Sequence, residues 1–534
     1  MKSKKLSSYF GVLLVFFAVL FLGSCTKDFE SINTDSNGIT NKELQVDFNN
    51  IGQFFPAIQQ AFKVSDIHSL VSMDVGYYLG AGTYGGYFMK SYGGGQGPDT
   101  YTFTSGVLNE IMFNDGYNNL MAPINNVALR GARVSAPTFW AIALILQVAG
   151  MQKITDMYGP IPYSQFGKGG ATVSYDNQES IYNLFFLQLD TAMNTLKNYM
   201  AANPNATPFA KFDVTYGGSF AKWLKLANSL RLRLALQIVK VDPSEAKLQA
   251  EKAVDPANGG VLTSNSDNAM VSGGLYNLEI FQREWQDSHA NAAIISYMSG
   301  YHDPRLSEYF DPSTIVPGEY VGLRTGGMYS SGGIAQSFSK LSGNFTRQSP
   351  YIIMTAAEVY FLRAEGALRG WNMGGAPEDL YNKGIETSFG QWGVGSAAGA
   401  YISDDTSMPA NYVDPSVPAN SINRMTTIPI AWMNNATQEQ NLEQIITQEW
   451  VADFPDGPLA WDLYRRTGYP KLFPTANNFS GGTVNTAIQI RRLPYPPNEY
   501  ENNNAAVTNA VNNLLGGPDN GGTRVWWDVN KGNF

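Results

Sequence analysis

The sequence predicts a mostly α-helical protein in which paired helices stack as a tetratricopeptide-like (α/α) repeat scaffold. Apolar residues recur at helical steps of three and four along 220–238, and similar helices are indicated at 137–157, 178–200 and 438–453. A helix over 354–371 and another that begins at Pro377 flank a glycine-rich turn, which predicts a helical hairpin. Helical pairs of this length that stack on one another are typical of repeat scaffolds.

Two of these helices have further features that predict their environment or their end. The helix at 220–238 has apolar residues on most of its sides, which predicts that it lies in the core. The helix at 137–157 ends before Gly159, which we expect to adopt a left-handed cap, and Pro160 and Pro162 cannot continue it. The chain must therefore turn away at this point.

Three long segments between the helices, 80–105, 256–349 and 395–430, are too long to be simple connectors. Long irregular segments in compact domains are usually functional or disordered. Their high aromatic content argues against disorder. We therefore expect function to lie in these loops.

The N-terminus predicts export and lipidation. Three lysines precede an apolar run at 10–22, and this pattern predicts a signal peptide over residues 1–24 that is too short to span a bilayer. Cys25 is the only cysteine, and the sequence LGSC at 22–25 resembles the lipobox of bacterial lipoproteins, in which the cysteine is acylated. Two or more acyl chains would make the anchoring stable.

The remaining chain is predicted to comprise a polar tether at 25–50 and a body at 51–534. Loss of the three signal-peptide lysines changes the formal net charge from −9 to −12, which argues against binding of nucleic acid through a basic patch. Asp28 and Glu30 resemble the acidic export tag of surface lipoproteins, so we expect the protein to face the cell exterior.

Five segments carry a resemblance that extends over nearly all of the mature chain. They are ITDMYGPIPYSQ (154–165), WLKLANSLRLRLAL (223–236), AEVYFLRAEGALRGW (357–371), LAWDLYRRTGYPKL (459–472) and RRLPYPPNEYENN (491–503). In this order after a lipobox, they closely resemble the SusD/RagB family of outer-membrane nutrient-binding lipoproteins.

The resemblance implies four tetratricopeptide-like units that support an irregular, loop-rich half. It also implies a subunit that sits as a lid on a SusC-type, TonB-dependent outer-membrane transporter and delivers oligosaccharide to it. Some members capture peptides instead, so a RagB-like peptide receptor is the alternative. Members are binding proteins without catalytic activity, so neither an enzyme nor a cofactor is expected.

Aromatic residues in the long loops are the candidate ligand site, because rigid rings suit the apolar face of a sugar. In the glycine-rich segment 80–101 no helix or strand explains the tyrosines. A second set surrounds Trp285, with Asp287 and Asn291 nearby. The predicted ligand-binding residues are Tyr84, Tyr87, Tyr92, Tyr101, Arg283, Trp285, Tyr320 and Tyr329.

The charged residues of the resembling segments are expected to be scaffold. Glu365 and Arg369 are four apart in the favourable helical order, and Glu358 lies two turns earlier on the same side. Buried guanidinium groups are usually paired. We expect the arginines of two RR pairs to cap carbonyls and to pair with these glutamates: Arg465, Arg466, Arg491 and Arg492.

The sequence gives less support to an enzyme or to a metal-binding protein. The chain has three histidines, and it lacks the H-E-x-x-H, G-x-S-x-G and P-loop motifs. A G-x-G-x-x-G match at 80–85 follows no apolar strand, and a calcium-like start at Asn33 has Leu44 where the last ligand belongs. The sequence does not exclude a glycoside hydrolase that uses two carboxylates.

The anchor assignment gives the first prediction. Replacement Cys25→Ala removes the acylation site, so the protein should become soluble or mislocalised. Membrane fractionation with detection of bound fatty acid checks this, and an undiminished membrane fraction for the variant would contradict the assignment.

Overall fold

The structure, a computed structural model, describes residues 46–62, 79–92, 95–102, 106–170, 172–273 and 278–534. The signal segment, Cys25, the calcium-like stretch and His68 lie outside these residues. Residues 51–534 form one compact unit.

Four pairs of successive helices form the scaffold of this unit. The pairs are α1 (Pro137–Tyr158) with α2 (Gln178–Ala202), α3 (Phe220–Gln237) with α4 (Pro243–Val254), α5 (Ala356–Leu368) with α6 (Pro377–Gln391), and α7 (Gln438–Ala452) with α8 (Gly457–Thr467). Neighbouring pairs contact through α2 with α3, α3 with α5, and α5 with α7. The mostly α, tetratricopeptide-like class predicted from the sequence is confirmed.

Local chemistry explains where these helices begin. Pro137 and Pro377 occupy the first turns of α1 and α6, and the Thr437 hydroxyl accepts from the Gln440 amide to start α7. Gly159 ends α1 with φ 83° and ψ −127°. The positive φ agrees with the expectation, but the ψ lies outside the left-handed helical region, in a conformation that glycine adopts readily.

Helix α1 shows why apolar length alone does not define a membrane span. By length and composition it could cross a bilayer, yet most of it is buried within the protein. Helix α3 is likewise buried on most sides, as predicted. Both are core helices of the repeat scaffold.

Six short strands among the described residues form three antiparallel pairs. The pairs are β1 (Phe88–Lys90) with β3 (Ser288–Ala290), β2 (Ala269–Val271) with β6 (Tyr351–Met354), and β4 (Phe310–Asp311) with β5 (Lys340–Leu341). Strand β6 explains why α5 begins two residues after the predicted start at 354.

Shorter helical segments complete the body. The α-helical ones are Asn49–Gly52, Phe55–Gln60, Gly82–Tyr84, Gly106–Asp115, Ala122–Leu129, Ala132–Ser135, Ala292–Gly300, Leu306–Tyr309, Gly332–Ala335, Ala398–Ile402, Pro497–Asn502 and Asn504–Asn513. The 3-10 segments are Val46–Phe48, Pro98–Thr100, Ala210–Phe212, Pro256–Asn258, Asn265–Asp267, Gly395–Ala397 and Pro418–Asn420, and π-helical turns span Gly116–Met121 and Ile280–Glu284.

A buried charge cluster joins α8 to α5. Both guanidinium nitrogens of Arg466 donate to the Glu365 carboxylate at 2.7 Å, and Arg369 donates to the same group at 2.8 Å. Burial alone would raise the pKa of Glu365, but the two arginines lower it to about 2. The predicted pairing of these residues is confirmed.

The other charged residues agree only in part with the predicted capping and pairing. Arg465 donates to the carbonyls of Asp156 and Arg491, as expected for a capping role. Arg491 and Arg492 pair with the aspartates Asp528 and Asp519 rather than with the glutamates, while Glu358 pairs with Arg233. The sequence spacing identified the buried charges but not every partner, because the partners come from remote segments.

Replacement Glu365→Gln should lower the free energy of unfolding by about 3–5 kcal/mol, since it leaves Arg466 and Arg369 buried without a counter-charge. Denaturant unfolding measures this, with Glu386→Gln, at an exposed pair with Lys383, as the matched control that should cost about 0.5 kcal/mol or less. The folded-state pKa of Glu365 is depressed, so the difference between wild type and Glu365→Gln should be full at neutral pH. It should narrow as the pH falls through about 4 towards about 2. Equal effects of the two substitutions would contradict the role assigned to the cluster.

Candidate functional site

Four of the eight predicted site residues are core residues: Tyr84, Tyr87, Tyr101 and Tyr329 are buried. The ring of Tyr84 packs 5.1 Å from that of Trp461, and the Tyr87 hydroxyl donates to the Trp450 carbonyl. This placement corrects the expectation that these rings form a ligand platform, because a buried ring has no face free for a sugar.

The other two buried tyrosines are held by polar partners. The Tyr101 hydroxyl donates to the Gln489 side chain at 3.3 Å, and the Tyr329 hydroxyl donates to the Asp414 carboxylate at 2.8 Å. Burial raises the pKa of both phenols, so they stay protonated donors. We therefore leave all four tyrosines out of the proposed site.

The glycines of this segment serve close packing. A Cβ on Gly85 would lie 2.7 Å from the Ala460 Cβ in α8, and Gly86 has φ 80°. The indole N–H of Trp450 in α7 donates to the Gly85 carbonyl at 2.7 Å. The segment also contains a short helix and β1, which corrects the expectation that neither a helix nor a strand explains its tyrosines.

Tyr92 and Trp285 are the exposed large aromatic residues of the predicted set, at 53% and 42% exposure. The β1–β3 ladder brings them together. Lys90 is opposite Ser288, and beyond this pair the Ser91 amide donates to the Asp287 carbonyl at 2.9 Å. Tyr92 and Trp285 therefore lie in the segments that continue the two strands at the same end of the ladder, and we call them the aromatic pair.

Buried groups support both members of the aromatic pair. The ammonium group of Lys90 lies 5.8 Å from the Tyr92 ring centroid and forms a buried ion pair with Asp99 at 3.0 Å. The Trp285 ring meets the Phe281 ring edge-on at 5.4 Å. Rings that are fixed in this way lose little conformational entropy when a ligand binds.

The turn that carries Trp285 is tightly constrained. Its amide donates to the Ile280 carbonyl at 2.8 Å, and the Asp287 amide donates to the Phe281 carbonyl at 3.0 Å, both in the π-helical turn Ile280–Glu284. Gln286 between them has φ 56°, which is unusual for a residue other than glycine. Such π-turns and strained residues occur often at functional sites.

Arg283 and Tyr320 both lie near Asp311 of β4. Arg283 donates to the Asp311 carboxylate at 2.6 Å and to the Leu341 carbonyl at 2.7 Å, so it ties the π-helical turn to β4 and β5. Tyr320 is half-buried, and burial, followed by the charge of Asp311, raises its pKa. Asn291 is buried and structural, because its side chain donates to the Phe88 carbonyl and to Thr325.

The chemistry of this region suits binding. Two exposed rings offer apolar faces, and the half-buried Gln286 and Asp287 beside Trp285 provide polar edges. His289 in β3 is buried, and burial lowers its pKa to about 4, so it is neutral at physiological pH. Among the described residues, no group of three or more His, Cys, Asp or Glu side chains could hold a metal ion.

Several residues that hold the site were not predicted from the sequence. Lys90, Asp99 and Gln286 received no role, although each fixes the geometry next to a ring. A lysine within a glycine- and aromatic-rich segment was the available signal, because burial of such a residue requires an acidic partner. Nothing in the sequence indicated that the acidic partner of Lys90 is Asp99, nine residues away.

The SusD-like family model, described as SusD and RagB outer membrane lipoprotein, matches residues 31–528. The chain therefore belongs to the SusD/RagB family of outer-membrane lipoproteins. No match was found among curated proteins.

Three solved structures illustrate this similarity. A chitin-binding SusD homologue from Flavobacterium johnsoniae is 41% identical, with a TM-score of 0.87 over 91% of this chain and 100% of that one. A SusD homologue from Bacteroides uniformis is 37% identical, with a TM-score of 0.81 over 90% and 99% of the two chains. A homologue from Bacteroides vulgatus is 33% identical, with a TM-score of 0.84 over 92% and 100%.

The loss in free energy of unfolding on replacement by alanine should distinguish the core tyrosines from the aromatic pair. Replacement Tyr87→Ala should lower the free energy of unfolding by about 3–5 kcal/mol, because it leaves a cavity beside Trp450. Replacement Trp285→Ala should cost about 1 kcal/mol or less, since Trp285 is 42% exposed and lies at the surface. Denaturant unfolding of both variants checks this, and a larger loss for Trp285→Ala would contradict the assignment.

Proposed function

We propose that the protein is a lipid-anchored subunit at the cell surface that captures oligosaccharides containing N-acetylglucosamine. The aromatic pair is the observation that carries this proposal, because two fixed and exposed rings can stack against the apolar faces of sugar units. The 41% identity to a chitin-binding homologue supports the choice of sugar.

The proposed mechanism is capture without chemical change. The rings supply apolar contact, and polar groups such as Gln286 hydrogen-bond to hydroxyl and acetamido groups at the edge of the sugar. The affinity should be modest, because each sugar hydroxyl gives up water for every hydrogen bond that it gains. Family membership supports a binding role rather than catalysis.

The proposal includes a partner. Acting as a lid on a SusC-type, TonB-dependent transporter, the protein would pass bound oligosaccharide to the barrel. Membership of an outer-membrane lipoprotein family supports this role. Acylation of Cys25 would hold the protein at the membrane surface beside the transporter.

Calorimetry with matched ligands tests the sugar assignment. Chito-oligosaccharides should bind, and cello-oligosaccharides, which lack the acetamido group, should bind about tenfold or more weakly. Binding of peptides without binding of any glycan would establish the RagB-like alternative instead, and release of new reducing ends would establish a hydrolase.

Variants test the location of the site. Tyr92→Ala and Trp285→Ala should each weaken binding of chito-oligosaccharide by about tenfold or more, since each removes one stacking surface. Phe534→Ala is the matched control, because Phe534 is 52% exposed and lies against Arg369. Unchanged binding by both test variants would place the ligand elsewhere.

A further inference from the structure

A cavity of about 180 Å³ lies where α6 and α7 end, beside the β2–β6 pair. Gln391 and Trp392 border it at the end of α6, and Asp453 borders it at the end of α7. The C-terminal ends of helices carry partial negative charge, so two of them at one cavity favour a positively charged occupant. We call this space the α6–α7 cavity.

Asp453 gives the cavity a buried carboxyl group that forms no ion pair among the described residues. The residue is 7% exposed, and its Oδ2 atom has no hydrogen-bond partner among the described residues. Burial, followed by the nearby Glu358 and Glu449, raises the pKa of Asp453 well above its usual range. A buried carboxyl in this situation gains from any cation that reaches it.

The nearby cations are already engaged by other acids. Arg233 binds both oxygens of Glu358 at 2.6 and 2.7 Å, and Lys153 donates to Asp456 at 2.5 Å. The charges that act on Asp453 thus comprise three other carboxyl groups, on α5, α7 and the start of α8, together with Arg233, which is paired with Glu358. Arg233 lowers the pKa of Asp453, but burial and the neighbouring carboxyl groups outweigh it, and Asp453 forms no ion pair of its own among the described residues.

Aromatic rings line the same cavity. Phe345, Tyr351 and Trp392 border it, and the Phe345 and Trp392 ring centroids lie 5.6 Å apart. The indole N–H of Trp392 has no acceptor among the described residues. Ring faces attract organic cations, whereas a metal ion needs several oxygen or nitrogen ligands.

We propose that the α6–α7 cavity binds a hexosamine with a free, protonated amino group. The ammonium group would lie against Asp453, the sugar ring would pack on the aromatic wall, and Asn344 and Gln391 would meet its hydroxyls. The volume suits one sugar unit. None of the residues that line this cavity belongs to the aromatic pair, and the proposal does not depend on the proposed binding of chito-oligosaccharides there.

Calorimetry or NMR titration with three monosaccharides tests the inference. At pH 6, where a sugar amine is protonated, glucosamine should bind, and N-acetylglucosamine and glucose should bind about tenfold or more weakly. The three sugars differ only in one substituent, so the comparison of their affinities isolates the contribution of the ammonium charge. Equal binding of glucosamine and glucose, or no binding of glucosamine, would overturn the proposal.

Variants assign the binding to Asp453. Asp453→Asn should weaken glucosamine binding about tenfold or more. Glu443→Gln is the matched control, because Glu443 is another buried acid of α7 that does not line the cavity. Unchanged binding by Asp453→Asn would reject the inference.

Three further measurements keep the result interpretable. Thermal unfolding should show that Asp453→Asn stays folded, because a neutral isostere removes a buried carboxyl that forms no ion pair among the described residues. If it does not fold, Trp392→Leu, which removes the ring on the partly exposed wall, decides the matter through the same expected loss of glucosamine binding. Trp285→Ala should retain glucosamine binding even where it loses chito-oligosaccharide binding, so failure of either proposed site can be distinguished.

Discussion

The close approach of the Gly85–Gly86 backbone to α7 and α8 is the contact on which the candidate site depends. A side chain at Gly85 would collide with Ala460, and the Trp450 indole holds the Gly85 carbonyl. Because β1 follows directly, this contact fixes the strand that leads to Tyr92, two residues beyond its end. The repeat scaffold therefore determines the position of a surface ring through a glycine that lies several residues away.

Buried charge has two different roles in this protein. Around Glu365 the charges are balanced, and both arginines reach a single carboxylate through short hydrogen bonds. Near Asp453 and Glu449, one turn apart at the end of α7, carboxyl groups are buried without an ion pair among the described residues. The first arrangement joins helices, whereas the second costs stability, which is common where a site is kept ready for a ligand.

Helices were predictable from the sequence because their signals are local. Pro377 and the apolar spacing in 220–238 depend only on neighbours within a few turns, and the structure has helices there. The exposure of individual tyrosines was not predictable, because Tyr87 and Tyr92 have similar sequence surroundings but opposite environments. What separates them is contact with α7, which is hundreds of positions away in the sequence, and no local pattern records it.

The two-stranded ladder beneath the aromatic pair has an evolutionary consequence. Ser91 and Gln286, which are hydrogen-bonded across its end, are 195 positions apart in the chain. Each half of the proposed site can consequently mutate on its own loop, while the backbone pairing preserves the spacing between the halves. Exchange of one short turn would then change the proposed ligand preference without redesign of the helical body.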